Sequence, residues 1–206
     1  MAAQKKSPIA RERDEGERAA WRGEAAGIAP ELFVWVDECG TRTSMTRTRA
    51  RAPKGERAYG KVPRNRGPNT TLIAGMTLEG AMGASMAFEG ATDKEVFEAY
   101  IGHFLTPTLQ RGQIVVMDRL GAHRTKRVRR LIEARGAKLW FLPSCSPDFN
   151  PIEEAFSKVK ALLKKAAART REALLEAIAE ALSAVTPEDA QGWLAHCDYG
   201  VQAQGS

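Results

Sequence analysis

Leu142-Pro143-Ser144-Cys145-Ser146-Pro147-Asp148-Phe149-Asn150-Pro151-Ile152-Glu153-Glu154 is the stretch on which the fold turns. An apolar run, Lys138 to Leu142, leads into it, and a helical pattern, Ile152 to Lys165, leads out. Three prolines lie between. The pattern predicts a strand that stops, a rigid turn, and a helix with Asn150 as N-cap and Pro151 at its first position. Such a turn fixes the direction of two carboxylates, Glu153 and Glu154, in the first helical turn.

Other elements follow outward from this corner. Leu32 to Asp37 is apolar, β-branched and aromatic, and predicts a buried strand. Thr41 to Ala50 has β-propensity and predicts a second strand in hairpin with it. Arg51 to Pro68 is loop-like. Thr70 to Thr77 and Ala81 to Phe88 predict two further strands around the turn Leu78-Glu79-Gly80. Thr92-Asp93-Lys94-Glu95 reads as a capping box, opening a helix with apolar residues at Val96, Phe97, Tyr100, Ile101, Phe104 and Leu105 that Pro107 ends. Gln113 to Asp118 is another apolar strand, followed by a basic helix from about Thr125 to Ala134 and the strand that enters the corner. Thr170 to Ala184 is an amphipathic helix. Thr186 caps a final short one, with Pro187 at its first position. Residues 1–29 are charged and Ala/Gly-rich, and predict one connecting helix around Ile9 to Ala26. Strands joined late in the chain by helices imply parallel neighbours. An antiparallel meander leading into βαβ units gives a mixed α/β sheet covered by helices.

Composition narrows the function. The 206 residues are 43% hydrophobic, enough for a core of their own, yet no apolar run approaches the roughly 20 residues of a membrane span. The first residues lack the apolar core of an export signal. Three widely spaced cysteines suit neither a disulfide framework nor a zinc site, which points to a reducing cytosol. Net charge is +6, and the excess is clustered. Arg42 to Arg66 holds nine basic residues against one acid, Glu56, and a second cluster runs from Arg119 through Arg124 and Lys126 to Arg130. Clusters of this kind favour a polyanion such as nucleic acid, although a solvated basic face has the same composition.

The acidic residues carry the chemistry. Two buried strands each end on an aspartate, Asp37 and Asp118, and a glutamate follows a third strand in the first turn of a helix. Parallel, adjacent first and fourth strands would set Asp37 and Asp118 side by side, with Glu153 closing the site. Three converging carboxylates repel unless a cation joins them, and all-oxygen sites suit hard ions, Mg²⁺ above all. Two such ions about 3.5–4 Å apart activate a water or hydroxyl and stabilise the leaving oxygen of a phosphoryl displacement. Each residue also has a plainer role open to it. Asp37 and Asp118 could cap turns, and Glu153 could complement its own helix dipole. Glu154 and Asp148 are rival ligands. The next helix position turns Glu154 by about 100°, and Asp148 suits a turn-fixing role. Glu38 should face away from Asp37 across the strand. His123 could touch phosphate or a metal-bound water, or simply bond within its loop.

Three blocks resemble the catalytic motifs of mariner-superfamily DDE transposases, the bacterial insertion-sequence branch most of all. They are Asp37-Glu38-Cys39-Gly40, Val115-Val116-Met117-Asp118-Arg119-Leu120-Gly121-Ala122-His123, and Ser146-Pro147-Asp148-Phe149-Asn150-Pro151-Ile152-Glu153. The thirty-four residues between Asp118 and Glu153 match the interval of a major group in that superfamily, and Arg51-Ala52-Pro53-Lys54-Gly55-Glu56-Arg57 is similar to this branch as well. The resemblance spans about residues 30–200. It implies a ribonuclease-H-like sheet of order 3-2-1-4-5 flanked by helices, with residues 30–166 as the catalytic domain, 1–29 as a connecting segment and 167–206 as a helical extension. It implies DNA cleavage and strand transfer with two Mg²⁺ or Mn²⁺ ions held by the catalytic residues Asp37, Asp118 and Glu153. The implied partners are transposon-end and target DNA, and a second copy in a homodimer. DNA contacts are expected from Arg47, Arg49, Arg51, Lys54, Arg57, Lys61, Arg64, Arg66, Arg119, His123, Arg124 and Lys126. Two departures stand out. Arg119 occupies a position where the branch often carries Asn. The N-terminal helix-turn-helix domains of such transposases are also missing, so the chain is expected to be the catalytic half, served by a separately encoded helix-turn-helix half in a bacterial cytosol. The competing expectation is a truncated or decayed remnant that binds DNA or regulates without cutting it.

Overall fold

In the computed structural model, which describes residues 10–80 and 82–200, five strands form one sheet: β1 (Phe33–Thr41), β2 (Thr70–Met76), β3 (Ser85–Glu89), β4 (Ile114–Met117) and β5 (Lys138–Phe141), in the order β3-β2-β1-β4-β5. The meander β1-β2-β3 is antiparallel, and β1-β4-β5 is parallel. Helix α1 (Glu15–Ala25) precedes the sheet. Helix α2 (Lys94–Tyr100) runs on through a wider turn, Ile101–Leu105, into β4; α3 (Lys126–Glu133) joins β4 to β5; and α4 (Ile152–Ala166), α5 (Arg171–Ser183) and α6 (Pro187–His196) follow. This is the mixed sheet of order 3-2-1-4-5 that the motifs imply, and a ribonuclease-H-like arrangement.

Alternation along β1 divides the molecule into two layers. Phe33 and Trp35 point to one face, into a core with Leu72, Ala74, Phe156, Val159, Ile178 and Leu194. Val34 and Val36 point to the other, with Ile73, Phe97, Tyr100, Val128 and Ile132. The first face is covered by α1, α4, α5 and α6, the second by α2 and α3. Period two therefore assigns the residues that follow: Asp37 falls on the α4 face and Glu38 on the α2–α3 face. The sequence placed those two carboxylates on opposite sides, and they are.

Several boundaries differ from expectation. The second strand does not lie at Thr41–Ala50. β1 itself runs on to Thr41, which pairs with Thr70, and residues 42–69 are irregular. That segment has one large apolar side chain in its first ten residues, Met45, and so no face to bury in a sheet. Its first turns are tied instead to Arg169, whose guanidinium donates to the carbonyls of Thr43 (2.8 Å) and Met45 (3.0 Å) and to the Thr46 hydroxyl (2.9 Å). The strand expected from Ala81 begins at Ser85, and Ala81 lies outside the described residues. Asp93, not Thr92, caps α2, accepting from the Val96 amide at 2.8 Å. The N-terminal helix starts at Glu15 behind the cap Asp14, and the part expected from Ile9 lies outside the described residues. Nor is α1 a mere connector. Trp21 and Ala25 are buried in the α4-side core, and the Trp21 indole donates to Tyr199 Oη at 2.9 Å. Helices α5 and α6 contribute to the same core, so it crosses the boundaries expected at residues 29/30 and 166/167. No helix among the described residues is long and apolar enough to cross a membrane.

One glycine ties the turn after β2 to the far end of the chain. Gly80 has φ of +72°, and a Cβ there would overlap the Thr186 carbonyl and the Pro187 nitrogen at the start of α6. Gly112 also has a positive φ, +91°, but an added Cβ would meet nothing within 4 Å. Gly112→Ala is expected to cost about 1–2 kcal/mol, the conformational term alone. Gly80→Ala should cost clearly more because backbone must also move. Urea unfolding midpoints of the two variants check the difference.

Candidate active site

The site forms where β1 outruns β4. Parallel pairing between them covers Phe33–Trp35, opposite Ile114–Val116. Asp37 lies two residues further on, still paired with Ala74 of β2 on its other side. Its carboxylate therefore leaves the middle of a strand beside the point where the neighbouring strand has ended. It is only 8% exposed. Burial pushes the carboxyl up to about 7, the Glu38 amide opposes that by donating to Oδ1 (2.8 Å), and the charges of Glu153, Asp118 and Glu38 push it up further.

Asp118 follows the last residue of β4. Its Oδ1 accepts from the Leu120 amide (3.0 Å) and sits 2.6 Å from His123 Nδ1. Burial would raise its carboxyl, but the imidazole and the amide hold it below the usual range. His123 lies in the short turn after β4, fully buried, with Nε2 3.0 Å from Glu38 Oε2 and its ring tilted over Phe97 at 4.1 Å. Desolvation would lower the imidazole, yet bonds to two carboxylates outweigh it and raise it to about 9. His123 is thus a cation clamped between Asp118 and Glu38. His123, expected among the DNA contacts, is enclosed in this arrangement, with its side chain 0% exposed. Its loop-bonding alternative is the one observed.

The corner from Leu142 to Glu154 is held from behind. Asp148 takes two bonds from Arg18, at 3.0 and 2.6 Å, and Arg18 is 1% exposed with its guanidinium 3.9 Å above the Phe149 ring. The pair holds the Asp148 carboxyl below its ordinary value. Tyr199 Oη donates to the Phe149 carbonyl at 2.7 Å. Asp148 is thus tied into the turn by Arg18. Asn150 does not cap α4, contrary to expectation. Its Nδ2 donates to Asp37 Oδ2 at 2.7 Å, and α4 starts without a side-chain cap because that amide is drawn to a buried carboxylate. Glu153 is exposed in the first turn of α4, while Glu154 turns toward His196, 3.6 Å away.

Asp37, Asp118, Glu153, Asn150 and Arg119 line one cavity of about 340 Å³, walled by Leu120, Leu142 and the turn Pro143–Pro147. Arg119 is also held 3.2 Å from Glu17 of α1. The donor set fits a hard divalent cation: carboxylate oxygens from three elements, with Asp37 raised by burial and by the charges of Glu153 and Asp118. Among the described residues, no three His, Cys, Asp or Glu side chains converge into a ready-made cage. Asp37 is turned to Asn150 and Asp118 to His123, so each carboxylate has a protein partner in the metal-free arrangement. Outside the cavity, Arg47, Arg49, Arg51, Lys54, Arg57, Lys61, Arg64 and Arg66 are exposed along the irregular segment, and Arg124 and Lys126 at the start of α3. Sequence inspection missed Arg18, Tyr199 and Arg169, because their partners lie 130, 50 and more than 120 residues away.

A model of the family described as DDE superfamily endonuclease matches residues 32–175. No curated protein matches the chain. Among solved structures, the Mos1 transposase paired-end complex with left transposon end is similar at 15% identity and a TM-score of 0.72, over 96% of this chain and 63% of that one. The Mos1 mariner paired end complex with Mn is similar at 16% identity and a TM-score of 0.71, over 97% and 63%. The catalytic domain of Mos1 mariner transposase is similar at 13% identity and a TM-score of 0.65, over 89% and 85%. At these identities the likeness is one of fold. The chain spans 63% of the length of the transposase chain in the paired-end complex.

The raised carboxyl of Asp37 has a consequence for stability. Its folded value, about 7, exceeds its ordinary 3.8, so the folded state binds the proton more tightly. The ionised side chain then destabilises the fold above pH 7, and the penalty fades as pH falls toward 4. In chelator, Asp37→Asn should melt several degrees above wild type at pH 8, with the two converging near pH 4. Calorimetry across that range checks it.

Proposed function

As the chain belongs to the DDE superfamily of endonucleases, we propose that it is the catalytic domain of a DNA transposase that cuts phosphodiester bonds at transposon ends and transfers the freed strand to target DNA. One observation carries this: Asp37 from β1, Asp118 from the end of β4 and Glu153 from the start of α4 line the same cavity. Asp37, Asp118 and Glu153 would hold divalent ions, Mg²⁺ or Mn²⁺. When bound, such ions supply charge stabilisation at phosphate and an activated water or hydroxyl nucleophile. The similar Mos1 structures include paired-end complexes with Mn, with Mg and with the left transposon end, which supports the reading.

The chain's own residues have distinct tasks. His123 fixes Asp118 through one oxygen, Oδ1, which leaves Oδ2 without a protein partner among the described residues. Glu38 neutralises His123 from the other side of the strand, so the pair adds no net charge to the cavity wall. Arg119, at the cavity rim, offers a fork of donors to a phosphate. The exposed cations of residues 47–66 and the α3 start would follow the DNA backbone on either side. The Ser146–Glu153 block supports the bacterial insertion-sequence branch as the source, and residence in the cytosol with DNA. Two ends must be brought together for transposition, which supports a homodimer and a helix-turn-helix partner, joined or separately encoded, that reads the ends.

The test uses a supercoiled plasmid carrying the DNA that flanks the gene. Wild type should nick it with Mg²⁺ or Mn²⁺ and not in chelator, and Asp118→Asn or Glu153→Gln should slow nicking by about a hundredfold or more. Salt-sensitive binding without metal-dependent nicking, identical in all three proteins, would instead establish the non-catalytic remnant.

A further inference from the structure

Asn150 stands just before Pro151, at the mouth of α4. A side chain of its type there normally accepts from the first helical amides. It caps nothing, and α4 starts without a side-chain cap. It is 3% exposed, its Nδ2 is 2.7 Å from Asp37 Oδ2, and its Oδ1 has no hydrogen-bond partner among the described residues. The orientation of the amide follows from its neighbour. An ionised carboxylate can only accept, so against Asp37 in that state the NH₂ end faces Oδ2 and the amide oxygen is the end left over. A buried amide oxygen without a donor is unfavourable, and native structures keep one where a ligand or water completes it. The residues just before it are held on the far side. Arg18 pins Asp148 and covers Phe149, and Tyr199 holds the Phe149 carbonyl.

The geometry points to Asn150 as the positioning residue of the carboxylate cavity: Nδ2 holds Asp37 in place, and Oδ1 is a neutral acceptor for the hydration shell of a divalent cation. A neutral oxygen suits this place. Mg²⁺ keeps several of its waters when bound, and these need acceptors. A fourth carboxylate would deepen the repulsion that already raises Asp37, while an amide oxygen adds none. The arrangement also explains why a residue type suited to capping leaves the helix amides unserved. The inference rests on the metal-dependent function proposed above.

Mn²⁺ binding to the full chain, followed by electron paramagnetic resonance and calorimetry without DNA, separates the two claims. Asn150→Ala and Asn150→Leu should each raise the Mn²⁺ Kd by about 10–100-fold, with the metal-free melting temperature within a few degrees of wild type. Affinities within about twofold of wild type in both Asn150 variants, while Asp37→Ala abolishes binding, would overturn the role given to Asn150. So would a large drop in metal-free melting temperature with Mn²⁺ affinity unchanged, which marks a merely structural residue. Absence of Mn²⁺ binding in wild type, or binding indifferent to Asp37→Ala, would overturn the metal-dependent function itself.

Discussion

A carboxylate withdrawn from water in the interior of a sheet is the constraint on which this molecule depends. Asp37 is almost fully buried within a nine-residue strand, with Glu153 and Asp118 raising its energy further. Buried charge of this kind survives only with partners. Among the described residues it has two, the Glu38 amide and the Asn150 side chain, and neither is a cation. Apolar residues at positions 33–36 on both sheet faces supply the stability that tolerates such a residue. The sheet thus holds in place a group it would be more stable without, as functional sites commonly do.

The parts that support this group come from opposite ends of the chain. Helix α1 brings Arg18 to Asp148, Glu17 to Arg119 and Trp21 to Tyr199. The residues after α6 bring Tyr199 back to Phe149. Both ends therefore bear on the five-residue span Ser146–Asn150, and through Asn150 on Asp37. A guanidinium in a residue 1% exposed, paired in two bonds and stacked on an aromatic ring, is strongly held, and removing the half-exposed Asp148 carboxylate would leave a buried cation short of its partner. The α2–α3 side supplies a second support of the same kind, the imidazole of His123 between Glu38 and Asp118. Asp37 and Asp118 thus each have a side-chain partner, Asn150 and His123, brought from different parts of the fold.

Much of the fold was legible because it rests on local pattern. The runs at Phe33–Val36 and Ile114–Met117 read as buried strands and are. The helix-linked strands read as parallel and are; three motif blocks at known spacing selected Glu153 over Glu154 and Asp148, and Glu153 is the one of the three that lines the cavity. What stayed hidden depends on distance. Arg18 looks like any residue of a charged helix until Asp148 is beside it, and Arg169 like a loop cation until Thr43 and Met45 fold back to it. Asn150 misled for another reason. Capping is the local preference of its position, and a buried carboxylate from a strand over a hundred residues earlier outcompeted it. His123 likewise has the chemistry of a phosphate contact but the surroundings of a core residue. Thr41–Ala50 had strand propensity without a face to bury, and propensity alone did not suffice.

Diffraction from crystals soaked in Mn²⁺, measured at the manganese absorption edge, tests the central claim most directly. The account predicts anomalous density in the cavity, within coordination distance of carboxylate oxygens of Asp37, Asp118 and Glu153, and its loss in Asp37→Asn. Manganese bound only elsewhere, with the three carboxylates left in their metal-free positions, would contradict it.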